Sequence, residues 1–367
     1  MAIQFTKAIS QNKLLFAYNN NIIRFNSNSA LIPATAEIIG LGVSVVLYPN
    51  PSGDFYFNFK DYISAIINSD NFKDDMVVPV GYWSYNWTPK IYLNNAITVK
   101  IIFEDTSFET IILNTKWLSA YCQLDSIEVL PNNNPFILTP NNWDIKPVLK
   151  YWEGYPFDFT FYNPNPTNLS IVNENDYETG VGLQNYLFSR VVITNGFDLI
   201  PFVINNGVSD LALNLNGGIN FPLSIEKIIP NCNDKHYIKW INRYGGWNYW
   251  LFDRGKKTIT PKGLGEINND FNNVEDTISQ TVNIGVTSKK SISLNDDVSE
   301  IDMMMLVDLF ESPKVYLFTG EPNTISSFNN WQEVNVKDKA VKIQDVKYNF
   351  INIQLEIDLP IRTTRTI

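Results

Sequence analysis

Residues 236–260 read HYIKWINRYGGWNYWLFDRGKKTIT, and this stretch decides the fold class. Two runs of β-branched and aromatic residues flank Arg243-Tyr244-Gly245-Gly246. A Gly-Gly pair suits the primed turns that match strand twist, so the segment predicts a β-hairpin. Side chains alternate along a strand, which puts Trp247 and Tyr249 on one face and Asn248 and Trp250 on the other. Both faces are therefore partly aromatic, the pattern of a strand buried on both sides. Trp240, Trp247, Tyr249 and Trp250 are also the candidate ligand or interface aromatics, because flat rings stack on the apolar faces of sugars. The alternation favours packing over a stacking platform.

Outward from the hairpin, the same punctuation recurs. PFDFTFY, RVVIT, LIPFVI, LALNL and FPLSIEKII precede it at short spacing, and KVYLF, WQEVNV and VKYNFINIQLEIDLP follow it. Short runs separated by turn residues indicate a sandwich or barrel, not βαβ units. Nearer the start, TAEIIGLGVSVVLYP (35–49) and FYFNFK (55–60) flank Asn50-Pro51-Ser52-Gly53-Asp54 and read as a second hairpin. ITVKIIF, FETIIL and SIEVL continue the strands. Two helices are expected, at 61–70 and between Ser299 and Pro313, the latter capped by Ser299 and stopped by Pro313. The Pro- and Asn-rich Pro131–Pro147 reads as a linker. The expectation is mainly all-β, in two or three β-sandwich-like domains: 1–135, 136–260 carrying the aromatic hairpin, and 261–367 with a short helix near 299–311.

Composition narrows the function. The chain has 367 residues, a formal charge of −10 and 14% aromatic residues. Phosphate contacts need clustered Lys and Arg, so nucleic acid is not an expected partner. The densest basic group, Arg254, Lys256 and Lys257, reads as a solvated turn, as does the acidic Asn295-Asp296-Asp297. Asn supplies about one residue in eight and punctuates strands through its tolerance of left-handed backbone angles. No apolar run approaches the ~18 residues of a membrane span, and the first residues lack a signal-peptide pattern. No membrane insertion is expected.

The residues of catalysis are sparse. Only one histidine, His236, is present, which leaves serine, cysteine and HExxH chemistries without their base. His236 and Cys232 lack the further ligands of a zinc site, and Cys122 and Cys232 fit no redox spacing. No phosphate loop occurs, and Gly180-Val181-Gly182 lacks the rest of a dinucleotide fingerprint. Neither a metal nor another cofactor is expected. A carboxylate-pair glycosidase needs only two acids, such as Glu153 and Asp158 beside aromatics, but acids beside aromatics are common on strand edges. The chain is expected not to be an enzyme.

NPSGDFYFNFKDYISAIIN, KYWEGYPFDFTFY, HYIKWINRYGGWNYWLF and the ending ESPKVYLF through NIQLEIDLP together resemble tail and other virion structural proteins of phages and prophages of Bacteroidota. No set of functional residues is established for that family to transfer. The resemblance implies a non-enzymatic subunit of a phage tail or baseplate, assembled in the host cytoplasm and located in the virion. Its implied partners are other virion proteins and copies of itself. Two alternatives remain at this stage: a β module that binds a host surface glycan or receptor, and a capsid-associated or spike protein.

Overall fold

In the computed structural model, residues 3–11, 13–76, 84–123, 134–140, 146–165, 169–173, 178–183, 186–195, 206–215, 219–230, 235–268, 275, 279–324, 330–337 and 350–360 are described. The expected segments SIEVL and LIPFVI, and Cys232, fall outside these residues. Strands dominate, and the protein is all-β with three helices.

The first unit contains β1 (Ile3–Lys7), β2 (Leu14–Phe16), β3 (Ile22–Ser27), β4 (Pro33–Ile39), β5 (Val45–Leu47), β6 (Phe55–Asn58) and α1 (Lys60–Ile67). Then come β7 (Ser84–Asn86), α2 (Thr88–Ile91), β8 (Tyr92–Phe103) and β9 (Phe108–Leu118). β1-β3-β6 make one sheet and β2-β9-β8-β4-β5 a second. Strict alternation on β8 turns Ile97, Val99, Ile101 and Phe103 inward, and on β6 turns Phe55 and Phe57 inward. These side chains, with Phe25, Phe59, Ile63 and Trp117, form one core between the two sheets and α1. Each fully buried large side chain contributes about 1.5–3 kcal/mol.

The hairpin expected between 35–49 and 55–60 does not form. The chain turns back within the first run, so that β4 pairs with β5, and β6 pairs with β3 in the other sheet. Gly40 sets the reversal. Its φ is 110°, and a Cβ there would stand 2.7 Å from the Ala96 carbonyl oxygen, so no other residue fits. Read for β-branching alone, TAEIIGLGVSVVLYP conceals this glycine turn.

Beyond β9 come β10 (Phe136–Ile137), β11 (Val148–Trp152), β12 (Pro156–Tyr162), β13 (Leu169–Asn173), β14 (Glu178–Leu183), β15 (Phe188–Asn195), β16 (Gly207–Leu215) and β17 (Ile219–Ile228). They form the sheets β10-β12-β15-β7 and β11-β17-β16-β13-β14. β7 comes from the N-terminal part of the chain, so the two halves are stitched together by backbone pairing. The supposed linker is core where it is described: Phe136, Ile137 and Leu138 are buried, and β10 pairs with β12.

The remaining elements are β18 (His236–Ile241), β19 (Trp247–Phe252), β20 (Arg254–Asn268), β21 (Thr281–Ser299), α3 (Glu300–Glu311), β22 (Val315–Phe318), β23 (Trp331–Val336) and β24 (Phe350–Asp358). They form one sheet in the order β19-β18-β22-β23-β24-β21-β20. β19 and β20 lie at its opposite edges, yet only Asp253 separates them in sequence, so the sheet curls back on itself. The Ser299 hydroxyl accepts the Asp302 N–H and caps α3, which buries Met303, Leu306 and Leu309.

The division expected at 260/261 falls inside β20. Residues on both sides share this sheet and one hydrophobic core, so 136–260 and 261–367 are not separate packing units. Two expected turns are also strand: Arg254–Lys257 belongs to β20 and Asn295–Asp297 to β21. Both were disguised by the same cause. β20 and the first half of β21 are exposed on both faces, so neither carries an alternating pattern.

Candidate functional site: a buried quartet of charges

The expected hairpin forms from β18 and β19, with Ile241 paired to Trp247 across the loop Asn242–Gly246. Its turn differs from the primed type expected, since only Gly245 has positive φ, at 83°. Trp240, Trp247, Tyr249 and Trp250 are all buried. Trp247 packs against Trp87 and Tyr316, Tyr249 against Phe157, and Trp250 against Trp152. The Trp250 Nε1–H donates to Asp296 at 2.7 Å. The four rings are not gathered on one open surface.

What these aromatics enclose is a set of charges. Asp158 on β12, Arg190 on β15 and Lys239 on β18 are each at most 1% exposed, and the Asp74 side chain, from the segment after α1, is 1% exposed. Arg190 donates from Nε to Asp158 Oδ1 at 3.0 Å and from Nη2 to Oδ2 at 2.6 Å. Its Nη1 reaches Asp74 Oδ1 at 2.8 Å. Lys239 Nζ donates to Asp74 Oδ2 at 2.5 Å, and the Tyr249 hydroxyl to Asp158 Oδ2 at 2.6 Å. Two acids and two bases therefore balance. The rings add to this: Lys239 Nζ lies 4.4 Å from the Trp331 centroid and 5.2 Å from those of Trp247 and Tyr316, and the Arg190 guanidinium 4.8 Å from that of Trp87. Such cation–π contacts strengthen where water is excluded.

The protonation states follow from the competition between burial and partners. Burial raises the Asp74 carboxyl, but Arg190 and Lys239 override it and hold the group well below the usual range. Burial lowers Lys239, and the Asp74 charge only partly offsets it, leaving the amine below its ordinary value. Burial and the Asp158 charge push the Tyr249 phenol far up. All four charges point at one another, and the geometry holds segments together: Asp74 is fastened to strands more than 80 residues further along the chain.

A second buried pair fixes the hairpin loop. Asp308 on α3 is 0% exposed and accepts from Arg243 Nε at 2.7 Å and from its backbone N–H at 3.0 Å. Burial, only partly countered by Arg243, raises this carboxyl to about 6. Trp87 Nε1 donates to the Gly245 carbonyl at 3.2 Å from the other side.

The two acids weighed for glycoside cleavage do not meet. Asp158 is locked to Arg190, while Glu153 pairs with Lys227 at 2.8 Å and is partly exposed. Glu153 lines an open cleft of about 470 Å³ with Tyr155, Lys235, Tyr237, Phe318 and Asn323. Its three aromatic side chains are buried and offer no open face for stacking. His236 begins β18 and is buried, with Gly255 against its ring. Cys122 is half-buried and outside any disulfide. Among the described residues, no group of three or more potential metal ligands occurs, and no helix is long and apolar enough to cross a membrane.

Sequence reasoning weighed Asp158 but overlooked Asp74, Arg190 and Lys239. A usable signal was present in two of them: Lys239 stands in an otherwise apolar and aromatic strand, and Arg190 opens RVVIT. A lone base in one core strand and a lone acid in another, PFDFTFY, must find each other. Asp74 had no such marker, because its segment has no periodicity.

No protein-family model matches the chain, and no curated protein matches it in sequence. Among solved structures, domains A168–A170 of titin align with 89% of this chain and 95% of theirs, at 8% identity and a TM-score of 0.29. Dpr2 Ig1-Ig2 in complex with DIP-Theta Ig1-Ig3 aligns over 99% and 91%, at 7% identity and a TM-score of 0.23. SGBP-B of the Bacteroides ovatus mixed-linkage glucan utilization locus, in complex with a mixed-linkage heptasaccharide, aligns over 64% and 46%, at 7% and 0.18. Similarities this low assign neither family nor function, and the all-β class rests on the strands themselves.

Proposed function

We propose that this chain is a structural subunit that works by assembling with other proteins, as a component of a phage tail or baseplate. The observation that carries this reading is the ribbon formed by β20 and β21. It leaves Ile259, Leu264, Ile267, Val282, Ile284 and Val286 between 37% and 52% exposed, an investment of apolar surface that makes physical sense when another subunit covers it. The enclosed charges are consistent with the same reading, since they serve cohesion and face no substrate. Sugar binding draws no support from Trp240, Trp247, Tyr249 and Trp250, whose rings are interior. Peptide mass spectrometry of purified particles, combined with electron microscopy, tests the proposal. Peptides of this chain at structural stoichiometry are the expected result, and their absence from intact particles overturns it.

A further inference from the structure

β20 is an edge strand paired with β21 alone, while β21 pairs with β24 only from Ser291 to Ser299. Beyond that point, residues 260–268 and 281–289 form a two-stranded ribbon with no third strand. At ~3.3 Å per residue it extends about 30 Å. An isolated two-stranded ribbon is marginal in water. One face of the ribbon continues the core: Leu294 and Ile292 of β21 are buried, and the same face runs on through Lys290 and Ser288 to Val286, with Ile259 and Pro261 beside it on β20. A core-facing surface thus leaves the body uncovered.

Charge narrows what covers it. The two strands carry Arg254, Lys256, Lys257, Lys262, Lys289 and Lys290 against Glu266 alone, whereas the whole chain is at −10. Two such ribbons repel each other, which disfavours ribbon-to-ribbon pairing. The body offers a complementary surface. On the outward face of the sheet β2-β9-β8-β4-β5, Ile39, Val46, Phe108 and Ile112 are between 39% and 63% exposed. At its rim, the turn from β8 to β9 bears exposed Glu104 and Asp105 and half-buried Glu109.

We infer that the β20–β21 ribbon of one copy docks on this outward face of a second copy, with its lysines at the 104–109 turn and its apolar residues against Phe108 and Ile112. This deepens the assembly reading and rests on it. Donor and acceptor are different surfaces, so the contact is head-to-tail and propagates into a ring or filament.

The test uses the full-length protein in light scattering coupled to size exclusion over a concentration series. Wild type is expected to associate, and association should weaken between about 0.1 M and about 1 M salt as charges are screened. K256E/K257E/K262E and E104K/D105K should each raise the dissociation constant at least about tenfold while keeping the wild-type thermal midpoint. Mixed one to one, the two variants should reassociate, because each then meets opposite charge on the other. Wild type that stays monomeric throughout overturns the inference, as does association that survives either charge reversal. Binding of a fluorescein-labelled DNA duplex by a monomeric protein also overturns it, in favour of a nucleic-acid arm. Since this readout is self-association in solution, its failure is separable from absence of the chain from particles.

Discussion

Asp74 and Arg190 lie 116 positions apart and meet at 2.8 Å with both side chains withdrawn from solvent. Asp74 also neutralises Lys239, so removing its charge leaves two buried cations facing Asp158 alone. Breaking a buried pair costs about 3–5 kcal/mol, because the survivor is uncompensated. Asp74→Asn should therefore lower the urea midpoint strongly. Adding Lys239→Met should recover part of the loss, since one of the stranded cations is gone. Urea melts of the single and double variants decide this: a double variant less stable than Asp74→Asn alone would show that Lys239 contributes through packing and not through the charge balance.

This quartet shows where legibility in the sequence ends. Strands such as PFDFTFY and HYIKWI are readable because their composition and short length are local properties, and α3 is readable because Ser299 and Pro313 mark its ends. The curl that joins β19 to β20 through Asp253, and the pairing of β7 with β15, depend on contacts between distant segments and leave no local mark. The β20–β21 ribbon was hidden for another reason. Its exposure on both faces erases the alternation by which a half-buried strand is recognised, and its lysines and asparagines read as turns. Its partly exposed isoleucines and valines were the one available clue.

Gly42 and Gly245 separate backbone strain from collision. Gly42 has φ of 76° with open space at its Cβ position, whereas Gly245 has φ of 83° and a Cβ there would stand 2.8 Å from the Ser119 carbonyl oxygen. Gly42→Ala should cost about 1 kcal/mol, the price of a left-handed residue. Gly245→Ala should cost at least about twice that, because the loop that carries Arg243 must shift as well. Thermal melts of the two variants check the ratio, and equal losses would mean that the loop yields without disturbing Arg243 and Asp308.

Trp250 combines packing with a polar contact. Its ring stacks edge-on against Trp152 at a centroid distance of 5.1 Å, and its Nε1–H satisfies Asp296. Trp250→Ala should cost about 3–5 kcal/mol by opening a cavity. Trp250→Phe should retain most of the packing and lose the hydrogen bond, for about 1–3 kcal/mol. Denaturation of both variants, alongside a glycan array with the parent, distinguishes this from a sugar platform. Glycan binding by the parent that disappears in a fully stable Trp250→Ala would contradict the interior role.

Asp308 makes stability depend on pH in a direction opposite to that of most paired carboxylates. Burial raises its folded-state value from 3.8 to about 6, outweighing the Arg243 guanidinium. Between these values the folded chain holds a proton that the unfolded chain has released. Stability from this group is therefore fully present below the unfolded value and is lost as pH rises through about 6. A shift of this size corresponds to at most about 3 kcal/mol. Asp308→Asn cannot titrate, so the difference in unfolding free energy, wild type minus variant, should fall as pH rises from about 4 to about 6. Arg243→Met removes the opposing charge and should move the window upward, whereas a difference that rises with pH would show that Arg243 dominates burial.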